Sequence, residues 1–257
     1  MEPVLFEKKG AKAYITFNRP EAMNSMTPEG FQLLAEYFKE AQADEDIRVI
    51  ILTGAGDKAF CSGADLKKTI PLVSEGKLDF QLLNEAVLKN VPIWKPIIAA
   101  VNGYCLAGGT EILQATDIRI ASDNAIFGLP EPKWSIMSAA GSLVRLARQI
   151  PYCQAMEILL TGEQLTAEKA EKIGLINKVV PKEELMNEVE RYADIICQNG
   201  PLAIQNTKKA VIQLLNLPIE EAFEKEASYA KAVFESSDAK EGVTAFAEKR
   251  EPQFKGS

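Results

Sequence analysis

Ile97-Ile98-Ala99-Ala100-Val101-Asn102-Gly103-Tyr104-Cys105-Leu106-Ala107-Gly108-Gly109-Thr110-Glu111 decides the fold. Its first five residues are wholly apolar, as in a short strand buried on both faces. Asn102-Gly103 ends that strand, and a helix is predicted to begin at about Gly108. Two other runs repeat the pattern. Val49-Ile50-Ile51-Leu52 ends in Thr53-Gly54-Ala55-Gly56, and Asp117-Ile118-Arg119-Ile120-Ala121 reads as a third strand. A helical stretch is expected around 76–91. Strand, glycine turn and helix in repetition predict an α/β fold whose loops at the strand ends carry the ligand.

The flanks fit this frame. Val4-Leu5-Phe6 and Ala13-Tyr14-Ile15-Thr16-Phe17 surround Lys8-Lys9-Gly10 and predict a hairpin. Thr27 is the expected N-cap of a helix with Pro28 at its first position, and Phe31, Leu34, Ala35 and Phe38 give it one apolar face. From Ala139 onward helices dominate, over 139–149, 152–160, 167–173, 182–198, 202–215, 218–234 and 238–249. A short Val179-Val180 strand interrupts them. The expectation is an α/β core with a helical C-terminal part packed against it.

Composition narrows the function. The 257 residues are 47% hydrophobic and 25% charged, enough to bury a core without a metal or a disulfide. A net charge of −7 argues against nucleic acid or an anionic membrane as the partner. No apolar run approaches the length of a membrane span. Cys61, Cys105, Cys153 and Cys197 are scattered without a C-x-x-C pair, so they read as free thiols in a reducing compartment and not as zinc ligands. The N-terminal residues lack an apolar run of signal length, and a cytoplasmic location is expected.

Three turns carry the chemistry. There is no histidine, so carboxylates are the natural proton carriers at neutral pH. Gly108-Gly109 lets backbone approach a ligand, and the first amides of a helix there are free to meet an oxyanion. Ser62-Gly63-Ala64-Asp65 also follows a buried strand and precedes a predicted helix. Two amides from two such turns can bracket one carbonyl oxygen, and losing one donor of such a pair costs about 3 kcal/mol of transition-state stabilisation. Asp65 is expected to cap a helix at Leu66-Lys67-Lys68. Glu111 lies one turn inside the Gly108 helix among Cys105, Leu106, Ile112 and Leu113, where a charge needs a partner or a role. Glu131 is held between Pro130 and Pro132.

Taken in order, five segments resemble the crotonase, or enoyl-CoA hydratase/isomerase, superfamily. They are Asn18-Arg19-Pro20-Glu21-Ala22-Met23-Asn24, Phe60-Cys61-Ser62-Gly63-Ala64-Asp65-Leu66, Asn102 to Glu111, Leu159-Leu160-Thr161-Gly162, and Ala167 to Val180. The resemblance covers nearly the whole chain. It implies a crotonase-like (ClpP/crotonase) α/β spiral of ββα repeats, with residues 1–195 as the core bearing the site and 196–257 as a helical trimerisation part. It also implies an enoyl-CoA hydratase of fatty acid metabolism, adding water reversibly to a 2-enoyl-CoA to give a 3-hydroxyacyl-CoA. Glu111 and Glu131 would be the catalytic carboxylates, and the amides of Ala64 and Gly108 the oxyanion hole. Ala22, Met23, Ser62, Ala64, Asp65, Leu66, Phe254 and Lys255 would bind CoA, which is part of the substrate, so no separate cofactor or metal is expected. Homotrimers, or homohexamers built as dimers of trimers, are implied as well.

Other readings within the resemblance are an enoyl-CoA isomerase or another acyl-CoA lyase; outside it stands a non-catalytic acyl-CoA or RNA binder. Two retained glutamates favour water addition, and the dehalogenase type needs a histidine this chain lacks. One loop departs from the pattern. Where the family often has Pro-Gly-Ala-Gly-Gly, this chain has Ser138-Ala139-Ala140-Gly141-Ser142, with Trp134 and Met137 bulky beside it. Ala107 stands where glycine is common.

Overall fold

The apolar runs lie side by side in one sheet, and the turns that follow them are gathered by a second. The computed structural model describes residues 2–78, 80–89 and 91–257. Strands β1 (Val4–Lys9) and β2 (Lys12–Phe17) precede helix α1 (Pro28–Ala43). β3 (Val49–Gly54) and β4 (Ala59–Cys61) lead into α2 (Ile70–Ser74) and α3 (Phe80–Ala86). β5 (Ile97–Val101) and β6 (Tyr104–Leu106) lead into α4 (Gly108–Leu113). β7 (Ile118–Ser122) and β8 (Ile126–Gly128) lead into α5 (Ser142–Gln149) and α6 (Tyr152–Thr161). β9 (Gln164–Thr166), α7 (Ala167–Lys172) and β10 (Lys178–Val180) follow. Helices α8 (Leu185–Gln198), α9 (Pro201–Leu214), α10 (Ile219–Phe234) and α11 (Ser237–Glu248) complete the chain.

The large sheet has the order β1-β2-β3-β5-β7-β10 and the small one β4-β6-β8-β9. Among the described residues, only β1–β2 and β8–β9 pair antiparallel. After the β1–β2 hairpin and α1, the units starting at β3, β5 and β7 each put one long strand in the large sheet, one short strand in the small sheet, and then turn into helix. That is the ββα spiral expected of the crotonase fold.

Burial on both faces explains the apolar strands. Val49, Ile51, Ile98 and Ala100 pack against Leu185, Val189 and Ala193 of α8. The alternate residues Ile50, Leu52, Ala99 and Val101 face Leu34 and Phe38 of α1 and Phe60 of β4. Phe60 meets Phe17 edge-on at 5.2 Å, a contact that ties the two sheets together and contributes about 1 kcal/mol beyond burial. Thr27 caps α1 as predicted, its hydroxyl accepting from Gly30 N at 3.1 Å.

Several local expectations change. The stretch expected to be helical over 76–91 contains only α3, preceded by α2, and Asp79 and Asn90 lie outside the described residues. Leu66-Lys67-Lys68 is a turn and not a helix, although Asp65 does cap it. The helix expected from 139 starts at Ser142, because Gly141 sits at φ +133°, outside helical geometry. Residues 195 and 196, at the expected division, lie in the last turn of α8, and α9 follows from Pro201.

Candidate active site

The small sheet builds the site. β4, β6 and β8 run parallel, so their C-terminal ends lie together. Residues 62–65, 107–111 and 129–131 each leave one of those ends. Three segments far apart in sequence thereby meet at one sheet edge, the usual place for a ligand in parallel sheets.

The first turn is stitched to the N-terminal segment. Ser62 N donates to Met23 O at 3.1 Å, Met26 N to Gly63 O at 2.8 Å, and Asp65 N to Met26 O at 2.8 Å. In this parallel bridge between Met26 and Ala64, the amide of Ala64 faces away from Met26. The second turn abuts the first. A Cβ added to Gly63, which sits at φ +93°, would lie 2.8 Å from Gly108 N. Among the described residues, neither the Ala64 amide nor the Gly108 amide has a hydrogen-bond partner. Two neighbouring free amides on apposed turns are what an oxyanion requires.

Gly109 makes this approach possible. Its Cα packs against the backbone of Cys61, where a Cβ would collide with the Cys61 carbonyl oxygen. Ala107 contributes more than its methyl group suggests. It is the N-cap of α4 at φ 50°, ψ −125°, a conformation that strongly favours glycine. Relieving this strain with Ala107→Gly is expected to stabilise the fold by about 1 kcal/mol and raise the melting temperature by about 2–4 °C. An unchanged or lower melting temperature would count against strain at Ala107.

The carboxylates line the same place. Glu111 is 3% exposed, and its Oε1 accepts from Ala140 N at 2.9 Å and Ser142 N at 3.1 Å. Burial pushes its pKa up to about 7 against those amides, with the charge of Glu131 adding to the rise. Glu131 opens a short 3-10 turn, Glu131–Trp134, directly after β8. Burial raises its pKa too, opposed by its own backbone and by the Ser138 hydroxyl. Its Oε2 is buried without a partner among the described residues. Such an oxygen is costly unless a water, a substrate or a proton occupies it. Trp134 and Met137 stand exposed beside this turn.

Other residues predicted from sequence divide into two groups. Asp65 is committed within the protein. Arg19 Nη1 reaches its Oδ2 at 2.9 Å, and Lys67 N and Lys68 N donate to its Oδ1 at 3.0 and 3.1 Å. Burial raises its pKa, but these partners outweigh it and the net shift is downward. Ala22 and Met23 form the turn that receives Ser62, and Leu66 is exposed beside it. Phe254 and Lys255 lie elsewhere. Arg48 Nη2 donates to Phe254 O at 2.6 Å, and Lys255 N donates to Asp238 Oδ1 at 2.7 Å. Arg48 precedes β3, whose far end leads to the site, so roughly 20 Å of strand separates the two regions. In one copy, then, Ala64, Gly108, Glu111 and Glu131 come together while Phe254 and Lys255 stay at the opposite end of the sheet.

Sequence reasoning passed over Gln114, Ser142, Arg145 and the amide of Ala140 as site residues. Their only signal was the unusual 138–142 loop. Arg145 pins it by donating to Val87 O and Leu88 O at 2.9 and 2.8 Å, and Lys89 Nζ donates to Ala139 O at 2.5 Å. Among the described residues, no group of three or more acidic, cysteine or histidine side chains is placed to hold a metal ion.

Known proteins are similar to this chain in sequence and fold. The family model described as Enoyl-CoA hydratase/isomerase matches residues 7–257. An (E)-benzylidenesuccinyl-CoA hydratase of Thauera aromatica is 41% identical over 255 residues, covering 99% of this chain and 100% of the relative. Enoyl-CoA hydratase EchA19 of Mycobacterium tuberculosis is 43% identical over 255 residues, covering 97% of this chain and 95% of its own. The crystal structure of enoyl-CoA hydratase EchA1 from Mycobacterium marinum superposes with a TM-score of 0.93 at 37% identity, covering both chains completely.

Proposed function

This chain belongs to the enoyl-CoA hydratase/isomerase family, and we propose on that premise that it is an enoyl-CoA hydratase whose chemistry is carried by Glu111 and Glu131 across the amides of Ala64 and Gly108. The observation that carries this reading is the meeting of two buried glutamates with raised pKa values and two unpartnered amides at one sheet edge. The thioester oxygen of a 2-enoyl-CoA sits between the two amides, which stabilise the enolate as negative charge develops. Cβ then becomes electrophilic. Glu111 takes a proton from water as the water oxygen bonds to Cβ, and Glu131 delivers a proton to Cα. The product is a 3-hydroxyacyl-CoA, and the reverse steps dehydrate it.

Burial raises both pKa values, that of Glu111 to about 7, so near neutral pH the pair can hold a single proton. Glu111 accepts two amide hydrogen bonds on one oxygen, which favours its carboxylate form. Glu131 has a buried, unpartnered oxygen, which suits the neutral acid. Once Glu131 holds the proton, its repulsion of Glu111 vanishes. One proton on the pair thus leaves one base and one acid at neutral pH.

Ala22, Met23, Ser62, Asp65 and Leu66 flank the Ala64 turn and are proposed to border the CoA groove, Asp65 through its hold on the backbone. Phe254 and Lys255 could serve that groove only from another copy of the chain. Self-association is supported by the C-terminal helices, which expose Val211, Leu215, Phe223, Phe234, Val243 and Phe246. We assign residues 1–195 to the catalytic core and 196–257 to assembly as trimers or pairs of trimers. Sedimentation velocity reads this directly, and a monomer at micromolar concentration refutes it. Among the described residues no helix is long and apolar enough to cross a membrane. Four free cysteines support a reducing compartment, the cytoplasm.

The activity test follows the conjugated thioester absorbance of crotonyl-CoA and of longer and aryl-substituted enoyl-CoAs. Absorbance is expected to fall as water adds. Intact, folded protein that turns over none of them overturns the hydratase reading. Migration of the double bond without water uptake would make it an isomerase instead.

A further inference from the structure

The Ser138–Ser142 loop does more than supply amides to Glu111. Ser142 is fully buried at the start of α5, and its hydroxyl accepts from Gln114 Nε2 at 2.8 Å. The same Nε2 donates its second proton to Thr110 O at 3.1 Å. That second bond fixes the orientation of the Gln114 amide, because the opposite orientation would set its oxygen against the Thr110 carbonyl. With Gln114 donating, the Ser142 oxygen is an acceptor there. A hydroxyl has one proton, and it is left for another acceptor. The Glu111 carboxylate, whose Oε1 already accepts from the Ser142 amide at 3.1 Å, adjoins this hydroxyl.

We propose that Ser142 is a positioning residue for the catalytic base: its hydroxyl, aimed by Gln114, donates to the Glu111 carboxylate and keeps it ionised and turned toward the attacking water. This rests on the hydratase reading with Glu111 as the base. Burial drives the Glu111 pKa upward, and the Ser142 amide, the Ala140 amide and the Ser142 hydroxyl all oppose it. The charged groups facing Glu111 are Glu131, from the turn after β8, and Arg145, from α5. Arg145 is engaged by Val87 O and Leu88 O, and Glu131 is the acid of the pair. The hydroxyl therefore adds a short-range donor to the base where a glycine would offer only its amide.

The test compares wild type with Ser142→Ala, and with Ser142→Gly should the alanine variant fail to fold. The acidic limb of the kcat/KM pH profile is expected to move up by about one unit, a roughly tenfold loss below the limb that recovers at alkaline pH with KM little changed. Gln114→Met is expected to move the limb the same way by less. An activity-independent readout is the pH dependence of unfolding free energy, measured with and without Glu111→Gln. Its midpoint near pH 7 should rise by the same amount in the serine variants. If wild type hydrates no enoyl-CoA, the hydratase reading falls and this second measurement still judges the contact. A folded variant whose limb and stability midpoint both stay in place, with activity lowered equally at every pH, overturns the proposal.

Discussion

Glu111→Gln is expected to lower hydratase kcat by about two to four orders of magnitude, the usual contribution of a positioned general base. The same change is expected to stabilise the folded chain at alkaline pH. Glu111 is almost fully buried, and its pKa is raised to about 7 from an ordinary value near 4.5. Between those values the folded state holds a proton that the unfolded chain has released. The contribution of this group to stability is therefore most favourable below about pH 4.5, falls as the pH rises to about 7, and stays low above it. That rise from near 4.5 to about 7 corresponds to about 3 kcal/mol lost at pH 8. Glutamine does not titrate, yet its oxygen can still accept from Ala140 N and Ser142 N. The stability gain of the variant should be small near pH 5 and largest at pH 8. Urea unfolding at both values checks this. An equal difference at the two pH values would refute a buried, stability-costing base at this position. A residue kept at such a cost is the usual signature of a group retained for function.

Gly109→Ala is expected to be the most damaging single methyl in the site. The added Cβ would overlap the carbonyl oxygen of Cys61 and crowd its carbonyl carbon and Cβ. These are mostly backbone atoms at the end of β4, so no side chain can swing aside. Either α4 or the Ser62–Asp65 turn must shift, and both carry the amides proposed to hold the oxyanion. A destabilisation of about 3 kcal/mol is expected, and with it a melting temperature lower by about 10 °C and a loss of activity. Gly108→Ala is the contrasting change. Its Cβ would come no closer than 3.3 Å, to Gly63 Cα, so the chain should still fold. Thermal melts of the two variants separate the cases. A Gly109→Ala protein melting within about 2 °C of wild type would show that the turns are not apposed through this glycine.

The large sheet was legible because each strand announces itself. Val49-Ile50-Ile51-Leu52 and Ile97 to Val101 are apolar throughout since both faces are covered. The long helices show the same clarity, from Thr27 capping α1 to the punctuation at Gly200-Pro201. The small sheet escaped notice because β4, β6, β8 and β9 have three residues each, too few to display a period. Sequence therefore showed three isolated turns, and the strands beneath them became visible only in the pairing. Ala107 shows another limit. Its residue type carries no mark of the φ 50° it is forced to adopt. Asp65 was expected to cap a helix and caps a turn instead, and its other carboxylate oxygen is held by Arg19, 46 residues earlier.

By itself the sequence determined the chemical inventory: no histidine, two glutamates in unusual settings, glycines at three strand ends and a net charge of −7. Order and spacing along the chain also sufficed for the resemblance, since such patterns are local. The tertiary structure decided what touches what. It brought the Ala64 and Gly108 turns into contact, gave Glu111 its donors from a loop some 30 residues away, and left Phe254 and Lys255 at the far end of the sheet. Burial and hydrogen bonding at a point in space are sums over residues distant in sequence. For that reason the protonation of the two glutamates, and the part assigned to Ser142, emerge only from the folded chain.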